Sequence, residues 1–184
     1  MKSIIFLAVL AVVSGRHLKI DELEYGYCEG AHEPLTFDDI SIAPFPIVVA
    51  DGAEITIHIL VTLLEDVPVG AKVKLEIVKE GIINLPIPCI AIDGINIGSC
   101  EYDGQSLLDS FADFLCPNYF PEGQECTLPV HPGQYGGEPL TLTLPDIPEL
   151  IVDLLASGTY RIRLYALLAD DTEETCIQVR VELA

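Results

Sequence analysis

Four stretches of this chain alternate apolar and polar side chains with a period of two, and that alternation dictates what it can fold into. Ile55, Ile57, Ile59, Val61 and Leu63 share one face, opposed by Thr56, His58 and Thr62, with Leu60 as the exception. Val73, Leu75 and Ile77 alternate with Lys72, Lys74 and Glu76. Tyr160, Ile162, Leu164, Ala166 and Leu168 oppose Arg161 and Arg163, and Ile177, Val179, Val181 and Leu183 oppose Gln178, Arg180 and Glu182. Successive strand side chains point to opposite faces, so each stretch reads as an antiparallel strand with one buried face. Leu35–Ile42, ended by Pro44-Phe45-Pro46, and the short Leu140–Leu144 add further strands, and Asp51-Gly52 and Pro68-Val69-Gly70 mark turns. Leu107, Leu108, Phe111, Phe114 and Leu115 recur at helical spacing, predicting one helix over Asp103–Leu115 that is capped by Asp103 or Ser106 and ended by Cys116-Pro117. Pro117–Pro139 reads as an irregular loop. The sum is an all-β fold: an antiparallel β-sandwich of about seven or eight strands with one short helix, in a single domain over residues 16–184.

Two segments carry more aliphatic surface than loops need. Pro86 and Pro88 force an extended path into Cys89, Asp93-Gly94 signals a tight turn, and Cys100 closes the stretch. The two cysteines are well placed to bridge this turn. Ile90, Ile92, Ile95 and Ile97 cannot all bury themselves inside it. Leu150, Ile151, Val152, Leu154 and Leu155 sit between a Pro145-to-Pro148 break and Ser157-Gly158. Surplus apolar surface of this kind marks a ligand groove, a membrane contact or a partner site, or else it closes over the sandwich and completes the core.

Charge narrows the partners. The chain has 9 basic and 29 acidic residues, a net charge of -20, and its pI is about 4.2. That excludes nucleic acid, whose phosphates need Lys and Arg, and opposes attraction to anionic membranes at neutral pH. Lys2, the apolar run Ile4–Val13 and the small residues Val13-Ser14-Gly15 read as a signal peptide over residues 1–15. Export places six cysteines in an oxidising compartment, where an even count predicts three disulfides with 15 pairings open.

The search for catalysis comes back empty. Gly98-Ser99-Cys100 lacks the second glycine of a nucleophile elbow. His17, His32, His58 and His131 share no ligand spacing, and the acidic Asp170–Glu174 turn lacks the glycine and spacing of a calcium loop. No enzyme activity, cofactor or metal is expected.

Five motifs carry a family resemblance: Tyr27-Cys28-Glu29-Gly30, Pro86-Ile87-Pro88-Cys89, Ile97-Gly98-Ser99-Cys100, Gly158-Thr159-Tyr160-Arg161-Ile162 and Cys176-Ile177. In order and spacing they resemble the ML (MD-2-related lipid-recognition) family, in its sphingolipid-activator branch. The resemblance implies a β-cup with a hydrophobic cavity and the pairings Cys28–Cys176, Cys89–Cys100 and Cys116–Cys126. That branch has a fourth bridge, whose cysteines would fall near Gly104 or Gln105 and near Leu128. It further implies a secreted or lysosomal carrier of a lipid or glycolipid, such as a ganglioside, with transient membrane contact and a glycosidase such as a β-hexosaminidase as partner. A carrier of a sterol or fatty acid without an enzyme partner, or a solid-core recognition sandwich, are the alternatives. On this reading Ile57, Ile59, Val61, Val73, Leu75, Ile77, Tyr160, Ile162 and Leu164 line the cavity. Ile90, Ile92, Ile95, Ile97 and Leu150, Ile151, Val152, Leu154, Leu155 form a membrane-contact rim.

Overall fold

The computed structural model describes residues 22–92, 95–144 and 157–184; the expected signal peptide lies outside them. In chain order the strands are β1 (Glu24–Tyr27), β2 (Leu35–Ala43), β3 (Glu54–Leu63), β4 (Lys72–Glu80), β5 (Leu85–Ile87), β6 (Ile90–Ile92), β7 (Ile95–Ile97) and β8 (Glu101–Asp103). Helices α1 (Gly104–Ser110) and α2 (Ala112–Tyr119) follow, then β9 (Gly133–Gly136), β10 (Leu140–Thr143), β11 (Gly158–Leu167) and β12 (Glu173–Leu183). One sheet runs β1-β12-β11-β4-β5, with β8 also on β4; the second runs β10-β3-β2, with β9 also on β3. All pairings between these strands are antiparallel. The β-sandwich class expected from the period-two stretches is therefore the one that forms, with twelve strands among the described residues rather than seven or eight. The additional strands are short ones of three or four residues.

Register places the aliphatic residues on two facing surfaces. Ile162 lies opposite Val179 on one side and Ile77 on the other, and Leu164 lies between Ile177 and Leu75. Directly opposed residues share a face. In the second sheet Ile57 opposes Ile42, Ile59 opposes Ile40, and Val61 opposes Phe37. A register shift between Phe37 and Asp39 moves β2 from odd to even apolar positions, so Phe37 and Ile40 stay on the same side. Ile55 of the second sheet packs with Tyr160, Val181 and Ile87 of the first in one buried cluster.

The outer face of the first sheet is ionic. Arg180 pairs with Glu24 at 2.6 Å and Glu80 at 2.8 Å, Arg161 pairs with Glu80 at 3.4 Å, and Tyr165 donates to Glu76 at 3.0 Å. Such partly exposed pairs contribute little to stability individually. They do require a solvated face, and so they fix which side of the sheet turns inward.

The helix expected over Asp103–Leu115 is instead two helices. Asp103 caps the first, its side chain accepting from Ser106 N at 2.8 Å. Phe111 then leaves helical geometry, at φ -115 and ψ 17, and is 53% exposed. The second helix runs through Pro117 to Tyr119 rather than ending there. Proline removes one backbone donor, and Asn118 Nδ2 donates to Phe114 O at 2.7 Å in the same turn. The stretch expected to be an irregular loop, Pro117–Pro139, contains β9, which pairs with Leu60–Leu63 of β3.

The bridges are Cys28–Cys176, Cys89–Cys100 and Cys116–Cys126, the three the family resemblance implied. Gln105 Oε1 accepts from Leu128 N and Thr127 Oγ1, both at 2.9 Å. The place of the branch's fourth bridge is thus held by two hydrogen bonds. The Cys28–Cys176 bridge spans 148 residues and so removes much of the freedom of the unfolded chain. Replacing both cysteines by serine is expected to lower unfolding free energy by about 2–5 kcal/mol in urea denaturation. Gln105→Ala, which strips the Leu128 amide of its acceptor, is expected to lower it by about 1–3 kcal/mol.

Candidate functional site

The residues expected to line a cavity fall on the facing sides of the two sheets. Ile57, Ile59 and Val61 lie on β3, Val73, Leu75 and Ile77 on β4, and Tyr160, Ile162 and Leu164 on β11. Their burial is uneven. Ile55 and Leu63, near the ends of β3, are each 8% exposed, and on β11 Tyr160 is 1% and Leu167 8% exposed. Between them Ile57, Ile59, Val61, Ile162 and Leu164 are only half-buried, as are Val73, Leu75 and Ile77 on β4. A sandwich filled like a protein interior leaves few voids larger than a water molecule. Ile57, Ile77 and Ile162 pack against the buried cluster while keeping part of their surface accessible. Full burial is thus found near the ends of the inner face, and its middle is half-buried.

Of the expected rim, Ile90 is half-buried on the separate β6–β7 hairpin. The side chains of Ile92, Ile95 and Ile97, and residues Leu150, Ile151, Val152, Leu154 and Leu155, lie outside the described residues. The structure exposes a different apolar pair. At the β4–β5 turn Ile82 is 95% exposed and Ile83 76%, with Leu85 at 55%. The signal was in the sequence: two isoleucines between Gly81 and Asn84, where a hairpin tip is ordinarily polar. Sequence reasoning also missed Lys79, which continues the inward series Val73, Leu75, Ile77 by one more step of two and lies opposite Tyr160.

Polar candidates sit elsewhere and are committed structurally. Ser99 Oγ donates to Ile87 O at 2.5 Å and accepts from Ile77 N at 2.9 Å, tying β5 to β4. His58, on the outer face of β3, donates from Nε2 to Gly137 O at 3.0 Å and sits 3.2 Å from Asp39. A polar surface cleft of about 340 Å³ beside Cys28–Cys176 is lined by Glu29, Glu173, Arg163 and Tyr165 among others. His32, Glu65 and Glu174 bring three donor atoms within 4.8 Å of one another, a set that could take a metal ion at the surface, away from the inner face. Among the described residues no helix is long and apolar enough to cross a membrane.

The ML domain, as a family, matches residues 22–183. The chain belongs to the ML-domain family. No curated protein matches it in sequence. Among solved structures, a Niemann-Pick type C2 protein from Japanese carpenter ant is 13% identical, with a TM-score of 0.43 over 88% of this chain and 99% of that one. Chicken MD-1 complexed with lipid IVa is 17% identical, with a TM-score of 0.36 over 90% and 94%. At these values the likenesses add nothing to the family assignment. As an ML domain the chain combines the family's two-sheet sandwich with an inner face that its own side chains leave partly uncovered.

His32 gives a pH-dependent handle on the loops of this domain. Its hydrogen bond to Glu65 at 3.0 Å, followed by the Glu65 charge, raises its pKa above the ordinary imidazole value of 6.5. A raised pKa means that the pair contributes fully below the ordinary imidazole range and is lost as pH rises through the elevated value. NMR titration of His32 is expected to give a midpoint above 6.5, and Glu65→Gln is expected to bring it down towards that value.

Proposed function

We propose that this ML domain is a lipid carrier that holds acyl chains between its two sheets. The observation that carries the reading is the half-buried aliphatic inner face bounded by buried ends. Each CH₂ moved from water into such a space contributes about 0.8 kcal/mol, so aliphatic walls alone suffice to extract a chain. The lining is assigned to the nine residues on β3, β4 and β11, with Tyr160, 1% exposed, as the closed end of the row. The membrane-contact rim is assigned to Ile90, Ile92, Ile95, Ile97 and Leu150, Ile151, Val152, Leu154, Leu155, and Ile82 and Ile83 join it. Adjacent residues at a hairpin tip project in different directions. A narrow protein groove would cover one of them, whereas an acyl layer surrounds both.

The signal-like N-terminus and three disulfides support export to a secreted or lysosomal compartment. A ganglioside-activator role, in which a glycolipid is presented to a glycosidase such as a β-hexosaminidase, rests on the motif resemblance and on the bridges that resemblance implied. The same inner face equally suits a carrier with no enzyme partner. Stimulation of β-hexosaminidase on ganglioside separates the two.

Ile59→Phe with Leu164→Phe is expected to fill the space and to reduce uptake of a fluorescent phospholipid by about tenfold or more, with thermal unfolding unchanged or raised. Unchanged uptake in a folded double variant contradicts the lining. Ile82→Asp with Ile83→Asp is expected to slow extraction from vesicles while leaving uptake of a monomeric short-chain lipid intact. Equal rates for both lipids remove the tip from the rim.

A further inference from the structure

Acidic residues outnumber histidines 29 to 4 in this chain. Yet among the described residues a single group brings three metal-ligand types together, and it contains an imidazole. His32, Glu65 and Glu174 each offer one ligand atom within 4.8 Å of the others. The three lie far apart in sequence, so no spacing motif announces them. His32 lies between β1 and β2, Glu65 between β3 and β4, and Glu174 on β12. The backbone holds these segments together. The His32 carbonyl accepts from Thr175 Oγ1 at 2.5 Å, next to Glu174, and Thr175 is 4% exposed. Leu64 N, next to Glu65, donates to Pro34 O at 2.7 Å. The segment from His32 to Pro34 thus reaches from β12 of the first sheet to the end of β3 in the second.

The surroundings favour a cation. Glu24, Glu76, Glu80, Glu101 and Asp171 are each paired with a lysine or arginine. Among the described residues no lysine or arginine pairs with Glu65 or Glu174; Glu65 pairs instead with His32, its Oε1 3.0 Å from His32 Nε2. The Glu33 charge bears on the same ring. A neutral imidazole offers one nitrogen lone pair, and each carboxylate offers oxygens. Metal–nitrogen and metal–oxygen distances of about 2.0–2.1 Å set tetrahedral donors roughly 3.3 Å apart, close to the His32–Glu65 separation. The remaining contraction, from 4.8 Å or less, is within the swing of a glutamate side chain. All-oxygen sites suit calcium and magnesium, whereas an imidazole with two carboxylates suits zinc and its transition-metal neighbours.

We propose that His32, Glu65 and Glu174 form a site for a divalent transition cation of the zinc class, and that the bound ion fastens the two sheets together at one end of the sandwich. Three protein ligands leave a fourth position for water. The Cys28–Cys176 bridge joins β1 and β12, two strands of one sheet; the ion would join both sheets. Glu173, next to Glu174, lies opposite Leu167, and Leu167 lies opposite Lys72 at the start of β4. The Ile82–Ile83 tip follows the other end of β4, where Glu80 lies opposite Thr159. The site is therefore at the far end of the first sheet from the apolar tip, and it stands whether or not the inner face holds a lipid.

The test titrates zinc into the purified full chain after chelator treatment and dialysis. Millimolar calcium and magnesium are present throughout, to occupy sites built of carboxylates alone, and the histidine rings are followed by NMR. One zinc per chain is expected to bind and to shift the His32 ring while leaving His58 and His131 in place. His32→Ala and Glu174→Gln are each expected to weaken binding about tenfold or more. His131→Ala, which removes the neighbouring His131–Asp66 pair, is expected to leave it unchanged. Circular dichroism of the zinc-free variants checks that they fold, and His32→Gln takes the place of His32→Ala if the latter does not. No zinc uptake by the native chain overturns the proposal, as does zinc that calcium displaces or a shift confined to another histidine. Affinity unchanged in His32→Ala overturns the site itself. Affinity unchanged in Glu174→Gln alone overturns the bridge between the sheets.

Discussion

Two aliphatic sheet faces meet in this protein, and along the middle of both the facing side chains are half-buried rather than fully buried. Apolar surface left in contact with water is unfavourable by about 25 cal/mol per Å². A sandwich would ordinarily close until side chains interlock. Here Ile55, Tyr160, Val181 and Ile87 lock together in one buried cluster, while Ile59, Val61, Leu75 and Leu164 remain half-buried. Under the carrier reading an occupant of matching chemistry would complete the core, and binding and folding stability would be linked.

The covalent links lie at the margins of the sheets. Cys28–Cys176 joins the end of β1 to β12. Cys89–Cys100 ties the β6–β7 hairpin to the edge formed by β5 and β8. Cys116–Cys126 pins α2 to the chain leading into β9. Gln105 adds a non-covalent clasp to Thr127 and Leu128. The ionic outer face of β4, β11 and β12 keeps the first sheet from presenting its other side inward.

The sequence made the long strands legible because period-two alternation is a property of each strand alone. β3, β4, β11 and β12 were all readable, and with them the identity of the inner face. The short strands were not. β9 is Gly-Gln-Tyr-Gly, with no alternation to detect, and it is a strand because the far half of β3 offers unpaired backbone groups there. The helical pattern from Leu107 to Leu115 looked continuous, but only three-dimensional context shows the break at Phe111. Ile82 and Ile83 lie beyond the Glu80-Gly81 break, where no alternation says which way a side chain faces. Lys79 has the parity of Ile77, but a charged residue at a strand end carries no periodicity signal of its own.

One lipid per chain is the occupancy proposed for the inner face. Native mass spectrometry of the purified full chain, with extraction of whatever co-purifies, at about pH 5 and about pH 7, where the carboxylate charge differs, tests this occupancy. A mass excess matching a single lipid per chain is expected, or its appearance on adding lipid to the empty protein. A bare mass that stays bare with added lipid at both pH values would mean that the inner faces are closed on each other in solution and hold no lipid.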